Sequence, residues 1–412
     1  MTYAPAELLT VYLEAGERRK VGRLALRQRK ILFEYDAAFI TSGIEISPIK
    51  LPLRAGVFTS PDAVFDGLYG VFNDSLPDGW GRLLLDRTVE KHGVRRGQLN
   101  PLDRLAYVGR HGMGALSYEP DRSNASGDDV PLALDRLAQE SAIMLAGESE
   151  EVFEELLRLS GSSAGARPKI VAQVSADKSK IIHGPAKLKR GYEHWMIKFA
   201  SSQDPRDIGA IEYAYSLMAR DAGVEMPETH LFRTKKRGYF GAKRFDRQGV
   251  SRVHMHSLSG LIHADHRNPS LDYDMILRVV LVLTKNIVQV ERAYALACFN
   301  VLAHNRDDHA KNFSFLMNDR NAWVFAPAYD LTFSDGPAGE QSTMVMGEGK
   351  NPGPEQLRAL GKEHGLKNAP RILAKVQKAV ARWRTHAATA GVSAKSAKEI
   401  AGGIQTTSGS PK

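Results

Sequence analysis

The segment 287–330 constrains the fold more than any other part of the chain. Its first part places apolar side chains at the spacing of one helix face, at Ile287, Val290, Tyr294, Ala297 and Val301. The polar stretch HNRDDHAKN follows from residue 304, and FSFLM (313–317), NDRN and AWVFAPA (322–328) come next. This order predicts a buried helix, a polar loop and a β-hairpin in direct succession.

The predicted hairpin brings polar residues that are distant in sequence to one end. If Met317 pairs with Ala322, the antiparallel register places Asn312 opposite Pro327, and Asp330 follows within about 10 Å of chain. An amide oxygen beside a carboxylate forms a hard oxygen site that suits Mg²⁺. Asn312 and Asp330 are therefore candidate metal ligands.

Asp307 lies in the polar loop and is a candidate proton acceptor. A carboxylate before the metal-binding amide can accept a proton from an alcohol, and metal ions together with such an Asp are what phosphoryl transfer requires. The order Arg, Asp, four residues, Asn in RDDHAKN is also the order of the protein-kinase catalytic loop. On the residues alone, an ordinary polar turn with satisfied hydrogen bonds stays open as the alternative.

Two further segments are candidates for contacts to phosphate. In SGSSAGARPK (160–169), small residues let backbone N–H groups approach an anion, although the segment lacks the Gly-Lys-Ser/Thr ending of a Walker A loop. In HWMIKFA, alternation places Trp195, Ile197 and Phe199 on one face and Lys198 on the other. A lysine in such a strand is costly unless its ammonium reaches an anion. An ordinary loop and a lysine that snorkels to solvent are the alternatives.

The sequence divides into regions of different character and indicates an α+β fold. Residues 1–130 carry short alternating runs broken by Gly and Pro, which predict a β-rich N-terminal subdomain. Residues 131–250 mix strands and helices as a nucleotide-binding lobe, and residues 251–401 are nearly all helical apart from the hairpin. Residues 402–412 predict a disordered tail.

Composition and sequence patterns indicate the cellular compartment and the kinds of partner to expect. The single cysteine, Cys298, cannot form an internal disulfide, and the N-terminal residues lack the pattern of a secretory signal. Charged residues break the most apolar window, 275–303, so we expect no membrane span there. The single cysteine, in an apolar helical pattern, favours a reducing cytoplasm. Most of the net charge of +9 lies in residues 350–399, which contain eleven Lys or Arg and three Asp or Glu. A basic region can contact nucleic acid or an acidic partner, and a solvated helix face is the alternative.

Several motifs together resemble one known family. The segments are VYLEAGERRKVGRLAL, FNDSLPDGWGR, SSAGARPK, GAKRFDR, NRDDHAKNFS and PAYDL. Over nearly its whole length the chain resembles the HipA family of toxin kinases from bacterial type II toxin–antitoxin systems. The resemblance implies a protein-kinase-like two-lobed fold, with a β-rich N-terminal subdomain and an all-helical C-terminal lobe. It also implies phosphorylation of Ser/Thr on a protein, with ATP and Mg²⁺ as cofactors.

The resemblance also implies roles for individual residues. Asp307 matches the catalytic Asp, Asn312 and Asp330 match the metal ligands, and Ser162 matches the autophosphorylated serine, with Ser163 as the adjacent alternative. Phosphorylation there would add negative charge beside the triphosphate and switch the enzyme off. The remaining matches are nucleotide contacts at Ala164, Gly165, Ala166, Arg167, Pro168, Lys169, Lys198, Lys243, Arg244, Phe245, His309, Ala310, Lys311, Asn312, Tyr329 and Asp330.

The family resemblance further implies partners. These are a helix-turn-helix antitoxin, operator DNA through the antitoxin complex, and a protein substrate of translation, in some members an aminoacyl-tRNA synthetase. Lys378 and Arg382, one helical turn apart in the basic region, are candidate DNA phosphate contacts. A small-molecule kinase and a catalytically inactive co-repressor bound to DNA are the alternative functions.

Overall fold

Alternation along the first strand, Leu8–Leu13, buries Leu9, Val11 and Leu13, as the sequence LLTVYL predicts. The computed structural model describes residues 4–60, 64–91, 93–123, 130–147, 156, 159, 165, 167–183, 188–268 and 270–408. By compactness the chain divides into a first unit of residues 1–204, 241–263 and 316–321, and a second unit of residues 205–240, 264–315 and 322–412.

The regular elements of the described chain are as follows. The strands are β1 (Leu8–Leu13), β2 (Arg19–Arg27), β3 (Lys30–Tyr35), β4 (Val57–Thr59), β5 (Leu116–Glu119), β6 (Val130–Pro131), β7 (Lys169–Ser175), β8 (Ile181–His183), β9 (Tyr192–Lys198), β10 (Thr229–Arg233), β11 (Gly238–Lys243), β12 (Arg247–Gln248), β13 (Ser251–Arg252), β14 (Met255–Ser257), β15 (Leu271–Asp272), β16 (Ser314–Met317), β17 (Trp323–Phe325) and β18 (Thr343–Met344). The helices are α1 (Ala37–Thr41), α2 (Gly70–Asn73), α3 (Gly79–Lys91), α4 (Pro101–Val108), α5 (Leu134–Ala146), α6 (Ile208–Ala222), α7 (Leu258–Ile262), α8 (Tyr273–Thr284), α9 (Ile287–Leu302), α10 (Pro354–Glu363), α11 (Ala369–Ala381), α12 (Trp383–Ala390) and α13 (Ala394–Ser408). Short 3₁₀ turns cover Arg96–Gln98, Ala310–Asn312 and Pro337–Gly339.

The first sheet of the first unit is antiparallel and follows the order β4-β3-β2-β1-β5. Gly22 allows β2 and β3 to approach, since a Cβ added there would lie 2.2 Å from the Glu34 carbonyl oxygen. Helix α4 follows with a capping box, in which Asn100 and Asp103 each accept from the other's backbone N–H. The predicted β-rich N-terminal region is confirmed.

The second sheet of the first unit contains the strands predicted around the lysine-bearing segment. Strand β7 pairs with β8 and β9, and β8 also pairs with β6. Trp195, Ile197 and Phe199 are buried, as predicted. The antiparallel register between β7 and β9 sets Lys169 directly opposite Lys198.

Helix α9 forms the centre of the second unit. Val290, Tyr294, Ala297 and Val301 are completely buried, so the predicted helix face is confirmed at these positions. Ile287 is the exception, with 49% of its surface exposed. It starts the helix at the α8–α9 turn, on the protein surface, so the prediction that it joins the buried face is wrong.

Other helices pack against α9, and hydrogen bonds join the middle and the C-terminal end of α9 to their surroundings. It packs against α8, α10, α11 and α13. The Tyr294 hydroxyl donates to the Leu357 carbonyl at 3.0 Å, and the Tyr215 hydroxyl of α6 donates to the Ala303 carbonyl at 2.6 Å. The predicted helical C-terminal region is confirmed for residues 273–302 and 354–401. The short strands β13, β14, β15 and β18 and the largely irregular residues 326–353 depart from that prediction.

The predicted disordered tail at residues 402–412 is wrong for residues 402–408, which continue helix α13. Ile400 and Ile404 are buried one turn apart. Gly403, which resembles a helix breaker in the sequence, allows close packing, since a Cβ there would lie 2.5 Å from the Phe333 ring. Residues 409–412 lie outside the described residues. The boundaries predicted near 130 and 250 remain predictions.

In the described part of the chain, no helix combines the length and apolar character needed to cross a bilayer. Cys298 is buried in α9, and burial raises the pKa of its thiol to about 12. The thiol is therefore inert at neutral pH.

Candidate functional site

The polar loop begins where helix α9 ends. His304, with a left-handed φ of +55°, turns the chain out of the helix, and its ring stacks on Phe333 at 4.9 Å. The Ser334 amide donates to the His304 carbonyl, and the Arg306 amide donates to the Ser334 carbonyl. The start of the loop is thus bonded to the chain that follows the hairpin.

Asp307 and Asn312 are brought together by one hydrogen bond. The side-chain Nδ2 of Asn312 donates to the Asp307 backbone carbonyl at 2.6 Å. Because the amide nitrogen is used in this way, the Asn312 amide oxygen is the atom that can bind a metal. The Asp307 side chain is 60% exposed, and its Oδ1 lies 3.9 Å from His309 Nε2. The loop therefore presents a carboxylate to solvent beside an amide oxygen.

The hairpin delivers Asp330 to the same end. The Ala326 amide donates to the Ser314 carbonyl at 2.9 Å, so the register sets Ser314 opposite Ala326 and Asn312 opposite Ala328. The predicted register, with Asn312 opposite Pro327, is wrong by one residue. The cause is a longer turn, in which Asn321 takes a left-handed φ of +56° and β17 starts one residue later than predicted.

Tyr329 ties the hairpin end to the loop. Its hydroxyl donates to the Lys311 carbonyl at 2.6 Å and lies 2.5 Å from Ser314 Oγ. Asp330 follows directly, with a left-handed φ of +58°, an uncommon conformation for a residue with a side chain and one found at functional sites. The bonds therefore bring Asp307, Asn312 and Tyr329 together, with Asp330 adjoining.

The turn between Asp307 and Asn312 contains the other predicted nucleotide contacts of this unit. Ala310 is buried, while His309 and Lys311 are half-buried. The His309 ring lies 5.6 Å from the ring of His266. Its Nδ1 is buried and has no hydrogen-bond partner among the described residues, as expected of a donor that serves a ligand.

The neighbouring Asp308 has an environment that the sequence pattern did not predict. Its carboxyl group is completely buried and accepts hydrogen bonds from Tyr273, Gln341 and Thr343. Burial raises the pKa of Asp308 to about 8, against the lowering effect of these donors. The aspartate doublet in the motif is the signal that could have indicated two different environments.

In the first unit, Gly165, Lys169 and Lys198 are the described candidates for phosphate contact. Lys169 is almost fully buried, and a Cβ added to Gly165 would lie 2.6 Å from its Nζ. Asp78 accepts a hydrogen bond from the Gly165 amide, and the Trp80 amide donates to the Gly165 carbonyl at 3.1 Å. Ser162, Ser163, Ala164 and Ala166 lie outside the described residues.

Arg167 and Pro168 make structural contacts at the start of β7. The Arg167 guanidinium pairs with Asp204 at 2.8 Å, and the Phe199 amide donates to the Pro168 carbonyl at 2.8 Å. The Arg167 charge is therefore already paired with a protein carboxylate.

The predicted adenine-side segment, Lys243 to Phe245, has side chains engaged with the protein. Lys243 pairs with Glu193, and this hydrogen bond lowers the pKa of the Glu193 carboxyl. The Arg244 guanidinium donates to both carboxyl oxygens of Asp246 at 2.8 and 2.7 Å and is buried. Phe245 is half-buried. A nucleotide contact at Lys243 or Arg244 would fall to the backbone.

The histidines of VHMHSLSGLIHADH serve separate protein partners. His254 Nε2 lies 2.9 Å from the Ile46 carbonyl oxygen, and His263 Nε2 accepts from the Gly70 amide at 3.0 Å. Across the described ranges, no three His, Cys, Asp or Glu side chains gather as a metal site.

One cluster has the connectivity of a hydrolase triad. His256 Nδ1 lies 2.6 Å from Asp74 Oδ2, and His256 Nε2 lies 3.0 Å from Ser47 Oγ. Ser47 and His256 are completely buried, which denies a substrate access to the hydroxyl. Asp74 also accepts from the amide and hydroxyl of Ser257. The cluster therefore anchors the FNDSLPDGWGR segment to β14.

The predicted DNA contacts lie at the end of α11 in the second unit. Lys378 is exposed. Arg382 is 51% exposed and pairs with Asp221 at 2.9 Å. Part of the Arg382 charge is therefore compensated within the protein.

Comparison with known proteins gives consistent relatives. A putative kinase, Y4dM of Sinorhizobium fredii (strain NBRC 101917 / NGR234), is 26% identical over 323 residues, which are 74% of this chain and 72% of that protein. The HipA protein of Shewanella oneidensis MR-1, solved with HipB and its operator DNA, matches with a TM-score of 0.70 and 18% identity over 97% of this chain and 95% of that chain. The latter likeness establishes a shared fold.

The family profiles divide the chain in the same way as its motifs. The HipA N-terminal domain matches residues 9–119, and the HipA-like C-terminal domain matches residues 161–384. The second match contains the polar loop and the hairpin and covers more than half of the chain. The chain therefore belongs to the HipA family.

Proposed function

We propose that this HipA-family chain is an ATP- and Mg²⁺-dependent serine/threonine protein kinase that acts as the toxin of a type II toxin–antitoxin system. The observation that carries the proposal is the bond from Asn312 Nδ2 to the Asp307 carbonyl. Because of this bond, the exposed Asp307 carboxylate and the Asn312 amide oxygen belong to one closed loop. The kinase name of the Sinorhizobium relative supports the same reaction class.

In the proposed reaction, a serine or threonine hydroxyl of the substrate attacks the γ-phosphorus of ATP. The new bond joins the hydroxyl oxygen to phosphorus, and the bond from phosphorus to the β–γ bridging oxygen breaks as ADP leaves. The Asp307 carboxylate accepts the hydroxyl proton. Its exposure of 60% supports this role, because the acceptor must be reachable by a protein substrate.

The donor set of the second unit fits Mg²⁺. The Asn312 amide oxygen and the Asp330 carboxylate are both hard oxygen ligands, and the use of Asn312 Nδ2 by Asp307 leaves its oxygen for the metal. Bound Mg²⁺ would neutralise charge on the transferring phosphoryl group. His309, with its partnerless buried Nδ1, is proposed as a nucleotide contact.

For the first unit we assign the anion contacts to Lys169 and Lys198. Their side chains leave adjacent strands at directly opposed positions. Lys169 is almost fully buried, and a Cβ added to Gly165 would lie 2.6 Å from its Nζ, which supports an anion contact beside that glycine. Gly165 and the backbone of Lys243 to Phe245 are proposed as further nucleotide contacts. The Gly165 amide donates to Asp78 in the structure, so a phosphate that binds this amide would replace that bond.

The family context supports the proposed partners. The Shewanella protein is solved with HipB and operator DNA, and we propose an antitoxin of the helix-turn-helix class and operator DNA for this chain. Lys378 and Arg382 are the proposed DNA phosphate contacts. The proposed substrate is a protein of translation, the proposed autoregulatory site is Ser162, and the proposed location is the cytoplasm.

The test is incubation of the purified chain with γ-labelled ATP, Mg²⁺ and a cell lysate, followed by phosphosite mapping. We expect label in a protein substrate and at a serine of this chain. The matched control is Asp307→Asn, which keeps the side-chain shape and should remove both labels. Absence of any transfer by the unsubstituted chain in the presence of Mg²⁺ would refute the kinase proposal.

The two alternatives give different outcomes in the same assay. A small-molecule kinase would label only low-molecular-weight products. A catalytically inactive co-repressor would label nothing, and its DNA binding would be unaffected by Asp307→Asn. The presence of Asp307, Asn312, Asp330 and Lys198 together argues against the inactive co-repressor. The N-terminal subdomain and the GAKRFDR segment favour a protein kinase over a small-molecule kinase.

A further inference from the structure

The residues before Asp307 are clamped by a later segment of the same unit. The Gln341 side-chain Nε2 donates to the Asn305 carbonyl at 3.0 Å. The amide and hydroxyl of Ser342 both donate to the Arg306 carbonyl, at 3.0 and 2.8 Å. Two successive peptide carbonyls are therefore fixed directly before the exposed carboxylate.

The residue after Asp307 is held more tightly still. Asp308 Oδ2 accepts from the Tyr273 hydroxyl at 2.5 Å and from Gln341 Nε2 at 2.8 Å, while Oδ1 accepts from the Thr343 amide at 3.1 Å. The Asp308 carbonyl accepts from the Thr343 hydroxyl at 2.5 Å. Asp308 is completely buried, so these bonds form in a water-excluded environment, where they are strong and costly to lose.

The bonds around Asp308 continue into two helices. Asn300 Nδ2, on α9, donates to the Tyr273 hydroxyl at 2.9 Å. Asn305 Nδ2 donates to Asn300 Oδ1 at 2.9 Å, which returns the chain of bonds to the loop. Tyr273 is the first residue of α8. The loop is thus tied to the ends of two packed helices.

We propose that Asp308 is a positioning residue, which fixes the backbone on either side of Asp307 so that the Asp307 carboxylate stays where it can accept the substrate proton. The inference rests on the proposed kinase function. Asp308 itself contacts only protein groups in the contacts described above, so it acts through its neighbour. The Gln341–Thr343 segment holds the loop in place through the hydrogen bonds described above.

A positioning role has a specific kinetic signature. Loss of the clamp would let Asp307 move, and a displacement of about 1 Å can cost roughly 100-fold in rate. Nucleotide binding would change little, because no metal or nucleotide contact assigned above uses Asp308. We therefore expect a loss in kcat without a matching rise in KM for ATP.

The experiment compares Asp308→Ala with Tyr273→Phe, which removes a single oxygen from the network and keeps the ring. Asp319→Ala, in the exposed hairpin turn, is the matched control. We expect kcat to fall about 10- to 100-fold for Asp308→Ala and by a smaller factor for Tyr273→Phe. KM for ATP should stay within about twofold in both, and the control should match the unsubstituted chain. Should Asp308→Ala fail to fold, Tyr273→Phe decides by the same criteria.

Hydrogen exchange of residues 304–308, the part of the loop that the clamp contacts, gives a readout that does not depend on activity. We expect both variants to exchange these amides faster than the control. A kcat within about twofold of the unsubstituted value in both variants overturns the proposal. Unchanged hydrogen exchange of these amides in both variants also overturns it. A rise in KM for ATP that accounts for the whole loss of kcat/KM does the same. An unsubstituted chain that transfers no phosphate refutes the kinase proposal, and the exchange comparison then still decides whether Asp308 orders the loop.

Discussion

The polar loop of the second unit and the nucleotide-side segments of the first unit are built in opposite ways. Around Asp307 the backbone carries the bonds and the carboxylate is exposed. At Arg167 and Arg244 the side chains carry the bonds, to Asp204 and Asp246. A charged motif residue is thus exposed in one region and paired with a protein carboxylate in the other. The difference lies in the neighbouring carboxylates, which the motif itself does not contain.

The largest expected effect comes from Asp307. Asp307→Asn keeps the side-chain shape and removes the proposed proton acceptor, so kcat should fall about 10²- to 10⁴-fold. Nucleotide affinity should persist, because the assigned metal ligands remain. The measurement is single-turnover transfer of labelled phosphate together with calorimetric titration of ATP. Undiminished turnover would refute the acceptor role, and the contrast between Asp307 and the paired arginines would then have no functional meaning.

Arg244 should behave in the opposite way. Arg244→Met removes a buried pair with Asp246, while Arg247, at 2.8 Å from Asp246, remains as a partner. We expect the free energy of unfolding to fall by about 1.5–3 kcal/mol, the value of hydrogen bonds to a charged group. Urea unfolding measures this, and KM for ATP of the folded variant should be unchanged. A large rise in KM with normal stability would show that the Arg244 side chain serves the nucleotide after all.

The buried Asp308 should make stability depend on pH. Its pKa is about 8 in the folded chain and 3.8 ordinarily, so folding favours its protonated form. Its contribution to stability is complete below pH 3.8 and is lost as the pH rises towards 8. The free energy of unfolding should therefore fall by up to about 1.4 kcal/mol per pH unit across this window. Asp308→Asn should lack this part of the slope, and parallel curves for the two proteins would contradict the assignment.

The smallest expected effect concerns the basic region. Each DNA phosphate contact contributes about 0.9 to the slope of log affinity against log salt. Lys378→Gln in the antitoxin complex should therefore flatten the slope by about 0.9. Arg382→Gln should have a smaller effect, because Asp221 already compensates part of that charge. Fluorescence anisotropy with operator DNA at several salt concentrations measures both, and an unchanged slope excludes these residues.

The local pattern of the sequence predicts the elements around the loop correctly. The spacing of α9 predicts four of its five named face residues, and alternation predicts the buried face of β9. The hairpin register is off by one residue, because the left-handed Asn321 lengthens the turn. Asparagine tolerates left-handed φ, but this tolerance does not specify how many residues the turn contains.

Long-range partners are what the sequence could not supply. Asp308 is bonded to Tyr273, 35 residues earlier, and to Gln341, 33 residues later, and no spacing rule connects these positions. The prediction of a disordered tail is wrong for a similar reason. Gly403 favours the helix only because it packs against the Phe333 ring, which lies far away in sequence. The environment of a motif residue is therefore set by side chains that contact it only in the folded chain.

The packing of Gly403 has a practical consequence for work with this protein. Helix α13 reaches the Phe333 ring at this glycine, and that ring stacks on His304, from which the loop departs. Shortening or crowding the helix would disturb the support beneath His304 even though Asp307 itself is untouched. Affinity tags and fluorescent fusions should therefore be attached at the amino end. A loss of activity caused by a disturbed helix α13 is then not mistaken for a lack of activity in the protein itself.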